Sequence, residues 1–419
     1  MLDVLIVGGG VGGLSLALTL HARGVPARIR IYEAAPELLE LGVGISMRPH
    51  AVRELESLGL LAEMRRFAVE PNAHGFYTHN GQLIYDEPGG LAAGYKLPHL
   101  SIHRADLQTV LLTAVQQRLG KDCVILGHKC VGVEQNDNEC IVHFVGPDRA
   151  PLPSVKADIV IGCDGIHSAV RKQFYPDEGL PVFHGINMWR GVTRRKPFLN
   201  GRTSVRIGGI YTTSKIVVYP IRNNIDGAGT QLINWACEVI TDAPAATDWG
   251  RPGKLEDFFH IFESWTFDWL DVAALIRDAD FVLEYPMVDR DPVSRWTFGR
   301  VALLGDAAHP MYPRGGNGGA QAILDAVALA KLLSEHASPV SALQAYQDER
   351  LEKVNRIVEE NRVRPPDVVI DTVERLTGGK RFDRLEDFIS LDELKKINDD
   401  YKVLAAFDIA SVNRPAGQQ

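Results

Sequence analysis

Residues 4 to 33 read as a buried strand, a glycine-rich turn, a helix and a second strand, with Gly8, Gly10 and Gly13 in GxGxxG spacing and Glu33 closing the unit. This opening constrains the chain to an α/β fold around a Rossmann-like, dinucleotide-binding sheet. Each part has its own physical reason. Gly8 permits a tight turn that no side chain would allow, Gly10 lets backbone approach a pyrophosphate, and Gly13 lets the helix pack closely on the strand. The unpaired amides at the helix start, aligned with its dipole, receive phosphate charge. Glu33 offers a carboxylate to an adenosine ribose and repels the extra phosphate of NADP, so the bound nucleotide is FAD or NAD. Gly12 and Ala34 flank these positions and belong to the same cofactor-binding set.

At 419 residues the chain exceeds the usual size of one hydrophobic core, which predicts two domains, and 45% hydrophobic residues argue against disorder. A net charge of −8 argues against nucleic acid or an anionic membrane as partner. The basic run Arg194, Arg195 and Lys196 reads as a solvated loop. The first apolar stretch carries Asp3 and is broken by glycines, so it is not a signal peptide, and no other apolar run spans a bilayer. Five cysteines without CxxC spacing read as reduced core residues. HExxH and a carboxylate cluster with ligand spacing are absent, so no metal is expected, and GxSxG is absent too. A cytoplasmic enzyme is the expectation.

Further along, Arg48 to Leu58 and Arg104 to Leu119 have helical periodicity, and Phe76 to Tyr85 gives two strands around an Asn80-Gly81 turn. Strands around Val124 and over Val131 to Val145 read as a small antiparallel insertion, after which the sheet resumes at Ala157 to Gly162. From Phe183 to about Pro286 the pattern turns to aromatic-rich strands, broken by loops at Asn223 to Gly229 and Asp242 to Gly253. Arg300 to Leu304 returns to a buried strand ending in Gly305-Asp306, and a long helix begins near Asn317. The tail beyond Ser338 is helical and charged, with breaks at Pro365-Pro366 and Gly378-Gly379.

Three sites stand out in order: the glycine turn with Glu33, Asp164-Gly165 in IVIGCDGIHSAVR, and Gly305-Asp306 in GRVALLGDAAHPMYPRGGNGG. In these the chain resembles the single-component FAD-dependent aromatic hydroxylases, the para-hydroxybenzoate and salicylate hydroxylase type, over roughly residues 2 to 350. The segments GVGISMRP, SIHRADLQ, GINMWRGVT and YPMVDRDP resemble most the branch acting on 5-methylphenazine-1-carboxylate. The resemblance implies a discontinuous FAD-binding domain over 1–72, 100–180 and 286–336, an inserted, mainly antiparallel β-sheet substrate domain over 73–99 and 181–285, and a C-terminal helical region over 337–419.

It also implies residue roles. Asp306 and Arg104 contact the ribityl or phosphate part of FAD, and Asp164 acts between FAD and the nicotinamide nucleotide. Gly44 and Ile45, in a segment of little bulk, wrap near the isoalloxazine. Gly318 and Gly319, in the loop before the helix, present backbone amides to the flavin's pyrimidine edge. Many relatives have glutamine at Asn317 and asparagine at Ala320, and some hydroxynicotinate-type relatives have a catalytic histidine at Ser46, so histidine base chemistry is not carried over there. Pro313, Tyr219 and Arg190 form the catalytic set. Trp189, Arg190, Tyr219, Met287 and Pro313 form the substrate wall, with Arg190 the partner of a carboxylate or phenolate.

The implied reaction uses NADH or NADPH and O2 through a flavin hydroperoxide to hydroxylate an aromatic or N-heteroaromatic substrate, with decarboxylation where a carboxylate occupies the attacked carbon. The helical tail would support a homodimer. The rival classes are a flavin-dependent halogenase, whose WxWxIP-like segment is missing, another non-hydroxylating flavoprotein, and a flavin-binding regulator without activity.

Overall fold

The computed structural model describes residues 1–38, 42–244 and 250–414. Its first sheet has six strands, in the order Thr297–Phe298, Val301–Leu303, Ile159–Gly162, Leu2–Val7, Ala27–Tyr32 and Val124–Ile125. All pairings are parallel except that of Thr297–Phe298 with Val301–Leu303. The central strands are uniformly apolar because both faces are covered: Val4, Leu5, Ile6, Ile159, Val160 and Ile161 are fully buried. Val11–Ala22, Arg104–Leu119 and Gly318–Glu335 supply the helical cover on one side. A three-stranded antiparallel sheet of Lys129–Gln135, Cys140–Val145 and Pro151–Ala157 lies on the other, and Phe144 stacks on Tyr32 with centroids 4.6 Å apart. The insertion is therefore antiparallel as expected, while Val124–Ile125 extends the parallel sheet instead.

The second large sheet has seven strands, in the order Phe281–Asp289, Val182–Arg195, Gln231–Ile240, Lys215–Arg222, Thr203–Ile207, Ala73–Tyr77 and Leu83–Pro88. Only Thr203–Ile207 and Ala73–Tyr77 run parallel. Gly81, at φ +74°, closes the Asn80-Gly81 turn. Strand alternation divides this sheet into two chemically distinct faces. Trp189, Val205, Ile216, Val218, Ile233, Trp235 and Cys237 pack with Phe258, Phe262, Leu275 and Ile276 in a closed apolar core. The opposite face carries polar and small residues and looks toward the glycine loops of the first sheet. The centre of the Asp242 to Gly253 loop, 245–249, lies outside the described residues.

The tail forms the helices Pro339–Val363, Val368–Thr377, Leu391–Leu404 and Ile409–Val412, with the Pro365-Pro366 break between the first two and Gly378, at φ +62°, ending the second. It is tied to the seven-stranded sheet by buried carboxylates. Asp371 accepts from the Tyr211 amide at 2.8 Å, and Glu374 accepts from the His79 amide at 2.7 Å and the Thr213 hydroxyl at 2.8 Å. Among the described residues no helix is long and apolar enough to cross a membrane, no cluster of metal-ligating side chains occurs, and all five cysteines are free.

Candidate active site

The glycine turn is built as a cradle. Gly8 sits at φ +109°, and a Cβ there would lie 2.3 Å from the Cys163 carbonyl oxygen. A Cβ at Gly13 would meet the Gly8 carbonyl oxygen at 2.1 Å, and one at Gly12 would meet Leu304 at 2.9 Å. A Cβ at Gly10 would meet nothing within 4 Å, so this position faces outward. Gly10 caps the Val11–Ala22 helix without a side-chain hydrogen bond, leaving the first-turn amides available. Glu33, at the end of Ala27–Tyr32, accepts from the Gly9 amide at 2.7 Å and the Ala35 amide at 2.9 Å, and Ala34 beside it is exposed.

A cavity of about 260 Å³ lies between the seven-stranded sheet and the loops that follow Val301–Leu303. Gly44 enters it as bare backbone: its amide donates to Asn234 Oδ1 at 2.7 Å, and a Cβ there would clash with Ile221 and Tyr219 at 2.7 and 2.8 Å. Ile45 continues this lining and would touch a Cβ at Gly319 at 3.2 Å. Opposite, Gly315 and Gly316 have φ of +73° and +66°, and Gly318–Glu335 begins with no side-chain cap, so the Gly318 and Gly319 backbone faces the cavity at a helix N-terminus. Asn317 is fully buried; its Nδ2 donates to the Tyr401 hydroxyl at 2.8 Å, which in turn donates to Asn361 Oδ1 at 2.6 Å.

Charge is concentrated around this space. Asp306 is exposed to the cleft yet deep within it, so burial raises its carboxyl above the usual range while His309 and Arg104 oppose the rise. Arg190 reaches the cavity with its guanidinium carbon 5.8 Å from the Tyr285 ring, and burial lowers it to about 10, still cationic at neutral pH. Burial pushes the Tyr219 phenol up to about 12, against the pull of Arg190 and Arg206, so it is a neutral hydroxyl. Arg48, lowered to about 10 by burial and by Arg206, donates from Nη2 to the Gly315 carbonyl at 3.2 Å. Lys215 pairs with Glu238 at 2.8 Å and with Asp367.

A family model described as an FAD binding domain matches residues 1–229 and 284–361. A phenazine 1,6-dicarboxylic acid hydroxylase of Lysobacter antibioticus is 41% identical over 379 residues, 89% of this chain and 91% of the relative. A 3-amino-4-hydroxybenzoate 2-monooxygenase of Streptomyces platensis is 31% identical, over 98% of this chain and 97% of the relative. Among solved structures, Klebsiella pneumoniae HpxO with FAD and uric acid has a TM-score of 0.72 at 22% identity, covering 98% of this chain and 97% of that one, a likeness of fold.

The chain is a single-component FAD-dependent aromatic hydroxylase. It is a monooxygenase with FAD as cofactor and NAD(P)H as co-substrate. The residues present fit FAD: an outward glycine in the first turn, a carboxylate at the next strand end, and a second uncapped helix start facing the aromatic-lined cavity.

The sequence-derived site residues separate into three groups. Gly44, Ile45, Arg190, Tyr219, Met287, Asp306, Pro313, Gly318 and Gly319 all line the one cavity. Gly8, Gly10, Gly12, Gly13, Glu33 and Ala34 gather at the cradle, and Arg104, exposed at its helix start, is close enough to Asp306 to bias its charge. Trp189 is a correction. It faces the closed apolar core, its ring 4.9 Å from Phe258, because alternation turns it away from the side that Met188 and Arg190 share. Asp164 accepts from Oγ of Ser168, the N-cap of the Ala169–Phe174 helix, at 2.5 Å and from the Ala169 amide at 2.8 Å, and does not line the cavity.

Sequence reasoning missed Arg48, Arg206, Lys215, Glu238, Arg314 and Asp367, all of which line the cavity. Arg48 lies within GVGISMRP and Arg314 directly after Pro313, so both were within reach of motif reading. Nothing local marks Arg206, Lys215 or Asp367.

Proposed function

We propose that this hydroxylase acts on a planar N-heteroaromatic carboxylic acid of the phenazine-carboxylate class. The observation that carries the reading is the floor of the cavity. In one row across adjacent strands, Arg190 is followed by Ala236 and Val217, which register places directly opposite one another. Two small apolar side chains make a flat bed for a fused ring system, and the guanidinium at its end suits a carboxylate through paired N–H donors. The substrate named for the Lysobacter relative supports the same class.

In this reading Arg190 holds a carboxylate and the neutral Tyr219 hydroxyl donates to a ring oxygen or nitrogen. Met287 and Pro313, which line the same cavity, would pack on the ring, fixing which carbon is presented and excluding water. Gly8, Gly10, Gly12, Gly13, Glu33 and Ala34 would hold the adenosine and pyrophosphate of FAD, with Arg104 and Asp306 at the ribityl chain and Gly44, Ile45, Gly318 and Gly319 around the ring system. FAD supplies hydride acceptance from NAD(P)H and activation of O2. The amides of Gly318 and Gly319, aligned with a helix dipole, stabilise negative charge that develops beside them. Where the carboxylate sits on the attacked carbon, hydroxylation releases CO2.

The test is NAD(P)H oxidation by the yellow holoenzyme under air with phenazine-1-carboxylate, its 5-methyl derivative, salicylate and hydroxyquinolines, with ¹⁸O2 labelling of the product. Stimulated oxidation with one labelled oxygen in the product supports the proposal, and product mass reports loss or retention of the carboxylate. Oxidation by none of the heteroaromatic acids, or oxidation without label in the product, overturns it.

A further inference from the structure

The row that forms the floor continues past Val217 to Arg206, whose strand pairs it directly with Val217. Arg190 and Arg206 therefore share one face and one row, three strand spacings or about 14 Å apart at Cα. They lean outward in opposite directions, Arg190 toward Tyr285 and Arg206 toward Phe76, where its guanidinium carbon is 5.3 Å from the ring centroid. Only Ala236 and Val217 stand between them, so the floor is bracketed by two guanidinium groups.

The Arg206 end has more positive charge than its own carboxylates neutralise. Lys215 is satisfied by Glu238 and Asp367, and burial alone would raise Asp367, yet Lys215 and Arg314 hold it below the usual carboxylate range. Arg206 makes no hydrogen bond or ion pair among the described residues. Arg314 is 3% exposed and lines the cavity; one nitrogen meets the Tyr211 hydroxyl at 3.3 Å, while Nε and Nη2 have no hydrogen-bond partner. On this wall three cations face two carboxylates, and Arg48 adds a fourth cation; Glu87, on the far side of Arg48 and Arg206, is paired with Lys402 at 2.8 Å. Asp371 and Glu374, behind the wall, direct their oxygens to the 209–213 loop and His79. Buried guanidinium N–H groups without acceptors are costly, and a ligand carboxylate supplies two acceptors in matching geometry.

We propose that Arg206 and Arg314 form a second anion-binding pole, so that the cavity selects a planar polycyclic aromatic bearing two carboxylates, one at each end of the floor. This rests on the heteroaromatic-acid reading above and extends it from one carboxylate to two. Arg206 and Arg314 act on specificity: they hold the remote acid group while Arg190 and the glycine loops serve the reacting end.

The experiment compares phenazine-1-carboxylate with phenazine-1,6-dicarboxylate on wild-type holoenzyme, Arg206→Gln, Arg314→Gln and Arg314→Lys. Both KM and the dissociation constant are measured, the latter from perturbation of the flavin spectrum. Wild type should favour the dicarboxylate. In each Gln variant the ratio of the dicarboxylate constant to the monocarboxylate constant should rise about tenfold to a hundredfold, the loss of one charged hydrogen-bonding partner. Arg314→Lys, which keeps charge without the fork, should recover part of that ratio. Arg206 is only half-buried, so Arg206→Gln keeps the test open if Arg314→Gln fails to fold. A ratio unchanged from wild type in the folded Gln variants overturns the second pole and leaves monocarboxylate hydroxylation standing. Wild type that binds and oxidises neither acid overturns the proposed function itself.

Discussion

The two halves of the site are made of different material. The nucleotide end is largely backbone: glycines at 8, 10, 12 and 13, a second glycine loop at 315–319, and two helix starts without side-chain caps. The substrate end is almost wholly side chain, projected from alternate positions of strands distant in sequence. A phosphate or ring edge is received by N–H groups that every residue carries, so the chain need only keep bulk away. A substrate is received by side chains whose placement depends on register. The first half should therefore fail when atoms are added and the second when they are removed.

The largest expected effect tests the first half of that contrast. Gly13→Ala places a Cβ 2.1 Å from backbone oxygen and should abolish recovery of flavin-bound protein, seen as loss of flavin absorption after gel filtration. Gly10→Ala adds the same methyl where no protein atom lies within 4 Å. It should fold with a near-native Tm but bind FAD about tenfold or more weakly, because the methyl intrudes only on the ligand. Equal melting temperatures and equal flavin content in both variants would break the claim that the cradle works by excluding bulk.

The two faces of the seven-stranded sheet give the next test. Trp189→Ala empties a buried site against Phe258 and should cost about 3–5 kcal/mol of stability by denaturant unfolding. Its KM, measured well below its Tm, should stay close to wild type. Met287→Ala, on the cavity face, should raise KM instead. A Trp189→Ala enzyme with native stability and a large KM increase would place the indole on the substrate side after all.

How much of this was legible in the sequence follows from the same contrast. The parallel sheet, both glycine loops and the helix boundaries could be read because local pattern determines them: Arg104 to Leu119 is helical over the residues its periodicity marks. The wall was harder. Trp189 and Arg190 are adjacent in one strand, and a period of two forbids both from facing the same side, so the sequence itself held the signal against that pairing. Arg206 becomes part of the floor only through registers linking four strands. Asp367 and Tyr401 reach the site from the tail, far beyond the flavin loop in sequence, and no short-range pattern announces such a contact.

Apart from both halves, against the tail, lies a set of buried histidines with unpaired nitrogens. His50, His74 and His99 lie near Arg48, and burial lowers all three, His50 to about 3 and the others well below their ordinary value. A depressed value in the folded state means that the unfolded chain takes up protons near pH 6.5 that the folded chain refuses. Stability should be full above about pH 6.5 and fall toward pH 3, with a limiting slope of about 4 kcal/mol per pH unit from three such groups. His50→Gln should flatten the dependence of Tm on pH between 6.5 and 5; an unchanged slope would assign the acid sensitivity to other groups.

The smallest effect is expected where side chain and backbone meet. The Tyr401 hydroxyl accepts from Asn317 and donates to Asn361, and it stands where a Cβ on Gly315 would come within 2.2 Å. This tail hydroxyl thus holds the Asn317 side chain and lies against Gly315 of the flavin loop. Tyr401→Phe keeps the ring packed on Phe407 and removes only the oxygen, leaving two buried amides short of a partner at about 1–3 kcal/mol. Tyr95→Phe removes a comparable bond, from the Tyr95 hydroxyl to the Phe407 carbonyl at 2.6 Å, without touching the loop. Both variants should lose a similar few degrees of Tm. Only Tyr401→Phe should also shift the flavin absorption bands and lower kcat by about threefold to tenfold, because only there do the amides at 315–319 lose their fixed aim. If the two variants behave alike in spectrum and kcat, Tyr401 is a prop for the tail, and the nucleotide end is positioned without help from side chains.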